Sequence, residues 1–272
     1  MGYLTTDKKK ITAKTLLEMK AAGEKITQMT AYDFTTAGII DAAGIDSILV
    51  GDSASNVMAG NQDTTPITVD QMIYHARAVV RACHHCLVVC DMPFGSYQVS
   101  REDGIRNAIR IIKETGAGAV KMEGGKEIAD TVKGIVDAGI PVIGHLGLTP
   151  QSIHKFGGYG LRAKEDTEAE KLIEDALALD AAGVSGITLE KVPAALANKV
   201  TAMVKAATIG IGAGNGTDGQ VLVYAAALGM RSGFKPKFLR HFANVNKCMT
   251  EGVMEYIRCV KSESFPSEAE SY

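Results

Sequence analysis

At 272 residues, 46 % of them hydrophobic, the chain has enough apolar material for one large barrel or two ordinary domains with a sizeable core. A formal charge of −2, with no Lys/Arg patch interleaved with aromatics, argues against a nucleic-acid partner. No apolar run approaches the roughly 20 residues that would span a bilayer, and the start lacks a signal peptide's charged-then-apolar pattern, so a cytoplasmic protein with no membrane partner is expected.

The elements follow in chain order. Met1, Gly2 and Thr6 fit the short N-myristoylation template, a pattern that arises readily by chance, and Lys8 to Lys10 read as a solvated turn. TAKTLLEMKAAG (12 to 23) predicts an extra helix ahead of the first strand, placed to cover a closed end of the fold. Apolar runs bounded by Gly, Asp and Pro predict strands at 26 to 32, 47 to 51, 86 to 91, 118 to 123, 141 to 145, 186 to 190 and 207 to 212. Stretches 68 to 83, 101 to 116, 126 to 139 and 167 to 183 carry apolar residues at helical spacing, and three of the four end in Gly, as a helix C-terminus commonly does.

Regular alternation of strand and helix implies a parallel sheet, and seven or eight such units favour closure into a (β/α)8 TIM barrel forming a single domain over 1 to 272. The eighth strand falls either in QVLVY (220 to 224) or just after Leu228. Helical spacing returns from Phe238 to Val260, and the polar tail, 261 to 272, is expected to fray.

Acidic residues close successive strands: Asp52 after SILVG, Asp91 in LVVCD, and Glu123 in AVKME. A parallel barrel carries its active site on the rim at the carboxyl ends of its strands, so all three can face one hard divalent cation. Oxygen ligands without competing sulfur suit magnesium. Lys121 lies two residues before Glu123 and points to the same side, while Ser53, His145 and Glu190 add further polar groups at strand ends. Any one of these could instead cap the following helix, but so many buried acids together would repel unless a cation or protons offset them. Glu190, two strands beyond Glu123, is the candidate general base, and His145 is a second-rank candidate able to donate a hydrogen bond.

Two other motifs weigh less. CHHC (Cys83 to Cys86) has the spacing of zinc sites but no second pair at zinc-ribbon distance, so a helix end leading into the third strand is expected. The five cysteines, odd in number and in apolar or helical contexts, suit reduced thiols. GIGAGNGTDG (210 to 219) fits neither the dinucleotide nor the P-loop template and is expected to form a tight rim loop.

VGDS, MIYHARAV, DMPFGSY, VKMEGG, GHLGLTPQS, FGGYG, DALALDAAG, LEKVP and GIGAGNGTDGQVLV, in that order across about residues 4 to 240, resemble the signature blocks of the ketopantoate hydroxymethyltransferase family. The resemblance implies a barrel of the phosphoenolpyruvate/pyruvate type, a homo-oligomer that is commonly a decamer, and a place in pantothenate biosynthesis. It implies transfer of a hydroxymethyl group from the co-substrate 5,10-methylenetetrahydrofolate to 3-methyl-2-oxobutanoate through an enolate stabilised by Mg2+. Carried over by position, it makes Asp52 and Asp91 metal ligands, with Glu123 completing the site directly or through water. Asp52, Ser53, Asp91 and Lys121 become substrate contacts and Glu190 the proton acceptor. The chain departs from the family where His-Asp usually follows GQVLVY, since Ala225 and Ala226 stand here, and where Ile-Pro usually precedes TIGIGAG, since Ala206 and Ala207 stand here. Two rival readings are another metal-dependent 2-oxo acid lyase or mutase on the same barrel, which folate dependence would separate, and a non-catalytic binding barrel, which substrate C3 deuterium exchange would separate.

Overall fold

A computed structural model describes residues 10–230, 233 and 236–272, which leaves the myristoylation template, Lys8 and Lys9 outside the described residues. Eight strands, β1 (Ile26–Thr30), β2 (Ser47–Val50), β3 (Leu87–Asp91), β4 (Ala119–Glu123), β5 (Val142–Gly147), β6 (Gly186–Glu190), β7 (Ala207–Ile211) and β8 (Gly219–Leu222), close in sequence order into a barrel. Every neighbouring pair is parallel, β8 returning to β1 with Ile26 opposite Gly219. The eighth strand is therefore the QVLVY segment, entered one residue early and left two residues before Tyr224.

The chain divides into two compact units, Met1–Leu222, which holds all eight strands, and Val223–Tyr272. In the first unit the helices are α1 (Ala13–Ala22), α2 (Phe34–Ala42), α3 (Ala54–Val57), α4 (Val69–Ala82), α5 (Arg101–Thr115), α6 (Ala129–Asp137), α7 (Ile153–Phe156), α8 (Asp166–Ala181) and α9 (Ala194–Met203). The expected glycine signals are present: Gly116 caps α5 in the left-handed region, and Gly139 and Gly183 follow α6 and α8 with positive φ. The second unit contains α10 (Tyr224–Ala227), which carries Ala225 and Ala226, and α11 (Val245–Lys261), which starts seven residues later than the apolar spacing suggests, at Asn244, whose side chain accepts from the Lys247 N–H. No helix among the described residues is long and apolar enough to cross a membrane.

Side-chain alternation divides the barrel interior into layers. Ile26, Leu49, Leu87, Val89, Ala119, Ile143, Ala207, Ile209 and Val221 form one buried cluster with Ala13, Leu16 and Met19, so α1 plugs the end where the strands begin. Two residues further along the same inner face come Asp91 after Val89, Lys121 after Ala119 and His145 after Ile143. An apolar floor thus carries a charged upper layer at the carboxyl ends.

One connection lacks a helix. Parallel strands usually need about a dozen connecting residues, yet residues 212–218 alone take the chain from the top of β7 back to the start of β8. Asp218 ties the lower end, its Oδ2 accepting from Lys20 Nζ (2.9 Å) and the Thr208 N–H (2.8 Å). A Cβ on Gly216 would lie 1.8 Å from Asn198 Oδ1 of α9, and one on Gly219 would lie 2.4 Å from the Ile26 carbonyl oxygen. The glycine-rich motif is therefore a closely packed return strap rather than a rim loop, because only bare backbone fits between α9 and β1.

Candidate active site

Asp91, Lys121, Glu123 and His145 are buried on the inner face at the carboxyl ends of β3 to β5. Asp52 joins them from the turn after β2, where its backbone N–H donates to Asp91 Oδ2 at 3.0 Å. Lys121 Nζ is paired with Asp91 Oδ1 at 2.9 Å. His145 stands between two acids, Nδ1 lying 3.2 Å from Glu123 Oε1 and Nε2 lying 3.4 Å from Glu190 Oε2. Glu190, the most accessible of the acids, closes β6. Ser53 lies at the edge of this group, hydrogen-bonded to the Tyr32 hydroxyl at 2.7 Å, and makes no side-chain cap to α3.

Burial governs the electrostatics. It holds the Asp52 carboxyl well above the usual carboxylate range, reinforced by Asp91 and Glu123 and opposed by Lys121 and Gln151. The Asp91 carboxyl is raised for the same first reason, which outweighs its Lys121 partner. Burial and Lys121 push the His145 imidazole down, but Glu123 and Glu190 outweigh them and raise it to about 9. As an imidazolium, His145 donates Nδ1–H to Glu123, so Lys121 Nζ, 3.3 Å from the same nitrogen, is a close neighbour and not its donor.

Sequence reasoning missed the residue that binds these parts together. Gln151 donates Nε2–H to Asp52 Oδ2 and the Met92 carbonyl, both at 2.9 Å, and its backbone N–H donates to Glu123 Oε2 at 2.8 Å. Its Oε1 accepts from the Tyr97 hydroxyl at 2.6 Å, and that hydroxyl accepts from the Glu123 N–H at 3.0 Å. The available signal was a glutamine just beyond a strand end, following Pro150; it gains meaning only when the loops after β2, β3, β4 and β5 meet. A cavity of about 560 Å3 opens beside this group, lined by Phe94, Tyr97, Glu123, Gln151, Phe156 and Arg162 among others.

The donor set suits magnesium. It is all oxygen, and burial opposes the ionised form of Asp52 and Asp91, a cost that a bound hard cation would offset. Asp52, Asp91 and Glu123 do not bring three ligand atoms within 4.8 Å of one another among the described residues, because Gln151 bridges Asp52 to Glu123. Magnesium usually keeps several waters and takes one or two carboxylates, so Asp52 and Asp91 would be enough to hold it.

Eight parallel strands closed in sequence order, with buried acids and a lysine at their carboxyl ends, make a (β/α)8 barrel whose polar rim lies where such barrels carry their active sites. The chain has this fold in common with phosphonopyruvate hydrolase solved with oxalate and Mg2+ (TM-score 0.62, 12 % identity, 96 % of this chain and 93 % of that one) and with 2,3-dimethylmalate lyase (TM-score 0.59, 15 % identity, 94 % and 89 %). Residues 10–268 match ketopantoate hydroxymethyltransferase as a family, and the chain is 59 % identical over 272 residues, the whole of both sequences, to the 3-methyl-2-oxobutanoate hydroxymethyltransferase of Flavobacterium johnsoniae. It belongs to the ketopantoate hydroxymethyltransferase family, and it is an enzyme of the transferase class.

Proposed function

We propose that the protein transfers a hydroxymethyl group from 5,10-methylenetetrahydrofolate to 3-methyl-2-oxobutanoate, forming ketopantoate for pantothenate synthesis. The observation that carries this reading is the meeting of Asp52, Asp91, Lys121, Glu123, His145 and Glu190 on one rim, in a chain matched along 10–268 by that family. Magnesium, held by Asp52 and Asp91 with Glu123 through water, would supply Lewis acidity toward the 2-oxo carbonyl. Lys121 supplies a fixed positive charge for the substrate carboxylate, and Ser53 a hydroxyl for the same group. Both stand at the rim before substrate arrives, so little reorganisation is needed. Glu190 accepts the C3 proton, being the most solvent-accessible acid of the group. His145, held between Glu123 and Glu190, orients the base. The enolate carbon then attacks the methylene carbon of the folate-derived iminium, forming the C–C bond, and hydrolysis breaks the remaining C–N bond, water supplying the hydroxyl as tetrahydrofolate leaves. Assembly as a homo-oligomer, a decamer by family resemblance, belongs to the same reading, and light scattering measures it.

The test is C3 proton–deuterium exchange in 3-methyl-2-oxobutanoate, followed by NMR with magnesium and no folate, and then ketopantoate formation on adding the folate donor. Exchange and folate-dependent product are expected. Glu190→Gln should slow exchange by about 10²- to 10⁴-fold, the usual range for a general base. Exchange without folate-dependent product would assign the barrel to another 2-oxo acid reaction; no exchange at all would leave a binding barrel.

A further inference from the structure

The end of the barrel opposite the active-site rim carries a second group of ligating side chains. Asp41, at the end of α2, Cys83, just past α4, and Cys86, just before β3, are all buried, and one potential ligand atom from each lies within 4.8 Å of the others. Of the four adjacent residues in CHHC, only the two cysteines contribute, and the third donor comes from a different helix. The fold thus supplies a further ligand where the sequence shows no second pair at zinc-ribbon distance.

We propose that Asp41, Cys83 and Cys86 form a structural site for one thiophilic divalent cation of the zinc class. Tetrahedral zinc, with bonds of about 2.0 to 2.3 Å, sets its ligand atoms roughly 3.3 to 3.8 Å apart, so small side-chain rotations close the present set. The carboxylate is already fixed: it accepts backbone N–H hydrogen bonds from His84 (2.9 Å), His85 (3.2 Å) and Cys86 (2.8 Å). Those bonds wrap the loop around Asp41 and keep both cysteines beside it. Among the described residues Asp41 has no Lys or Arg ion-pair partner, so its buried charge lacks a cation.

The fourth position falls to water. Binding breaks two S–H bonds, forms two metal–sulfur bonds and releases two protons to solvent; no electrons are transferred. Because both thiols must give up their protons to bind the ion, occupancy should fall as pH falls. The ion would pin α2, α4 and the start of β3 together, which is a stabilising role at the face of a barrel that does not carry its chemistry.

The test uses the full-length reduced protein, stripped with chelator and held in excess magnesium so that the rim is not the site measured. Titration with Co2+ should give one ion per chain and the near-ultraviolet thiolate-to-cobalt charge-transfer band, and Zn2+ should displace it. Cys248→Ser/Cys259→Ser, which removes the two cysteines of α11, should keep the band. Cys83→Ser/Cys86→Ser should abolish it while leaving magnesium-dependent turnover intact. No bound ion in the wild type, a bound ion without the thiolate band, or loss of the band in the Cys248/Cys259 variant would overturn the proposal. The wild type and the Cys248/Cys259 variant decide the matter even if the Cys83/Cys86 variant does not fold.

Discussion

Replacing Lys121 with Met keeps the length of the stem and deletes one charge from the middle of the acidic layer. Lys121 and Asp91 have side chains only 4 % and 3 % exposed and are paired at 2.9 Å, so the substitution leaves a buried carboxylate without its partner. Removing one member of such a pair typically costs about 3–5 kcal/mol. For a chain of this size each kcal/mol moves the melting temperature by roughly 2–4 °C, so a fall of about 6 to 20 °C is expected in chelator at pH 8. The sign of the pH dependence follows from the acids that remain. Asp52 and Asp91 are already held above the ordinary carboxylate range, and losing Lys121 raises them further. A carboxyl whose folded-state pKa is raised binds its proton more tightly when folded, so stability is regained as pH falls through that pKa. The deficit relative to wild type should therefore shrink on acidification, and magnesium should stabilise the variant more than the wild type. Melting followed by circular dichroism at pH 5 and 8, with chelator or magnesium, measures all three effects. A melting temperature within about 2 °C of wild type at pH 8 in chelator, or a deficit that grows on acidification, would refute the reasoning. The Michaelis constant for the 2-oxo acid should rise in parallel.

Asp52→Ala or Asp91→Ala should weaken magnesium binding in calorimetry while the barrel stays folded; unchanged affinity in both would remove them as ligands. Gln151→Leu removes the side-chain hydrogen bonds to Asp52 Oδ2, the Met92 carbonyl and the Tyr97 hydroxyl, and should cost about 1–3 kcal/mol in chemical denaturation along with much of the activity. Leu16→Ala, at 1 % exposure beneath the barrel floor, should cost about 2–5 kcal/mol with little change in turnover per folded molecule. In magnesium-free protein the His145 imidazole should titrate near 9 by NMR. Its contribution to stability should be complete below its unfolded pKa, roughly 6.5, and be lost as pH rises through 9; a measured pKa below 7 would contradict the Glu123 and Glu190 contacts.

Period and punctuation alone placed seven strands within two residues of their observed ends, because each is an apolar run bounded by Gly, Asp or Pro. The same reading named α1, α4, α5, α6 and α8, whose amphipathic spacing is long enough to register. It missed α2, α3, α7, α9 and α10, which are short or apolar on more than one face, so that no 3.6-residue period stands out. The acids at successive strand ends were legible for a simple reason: strand ends are marked in sequence, and a parallel barrel brings them all to one rim.

What the sequence by itself determined is thus the alternation of elements, the closure they favour and the identity of the rim side chains. Only the tertiary structure decided which groups touch. Gln151 meets Asp52 and Glu123, His145 falls between Glu123 and Glu190, Asp41 joins Cys83 and Cys86, and residues 212–218 pack as a strap rather than open as a loop. The physical reason is that local sequence encodes periodicity and turn chemistry, both short-range, whereas each of these pairings depends on strand register and barrel closure, which bring distant segments within a few ångströms only after the fold is complete.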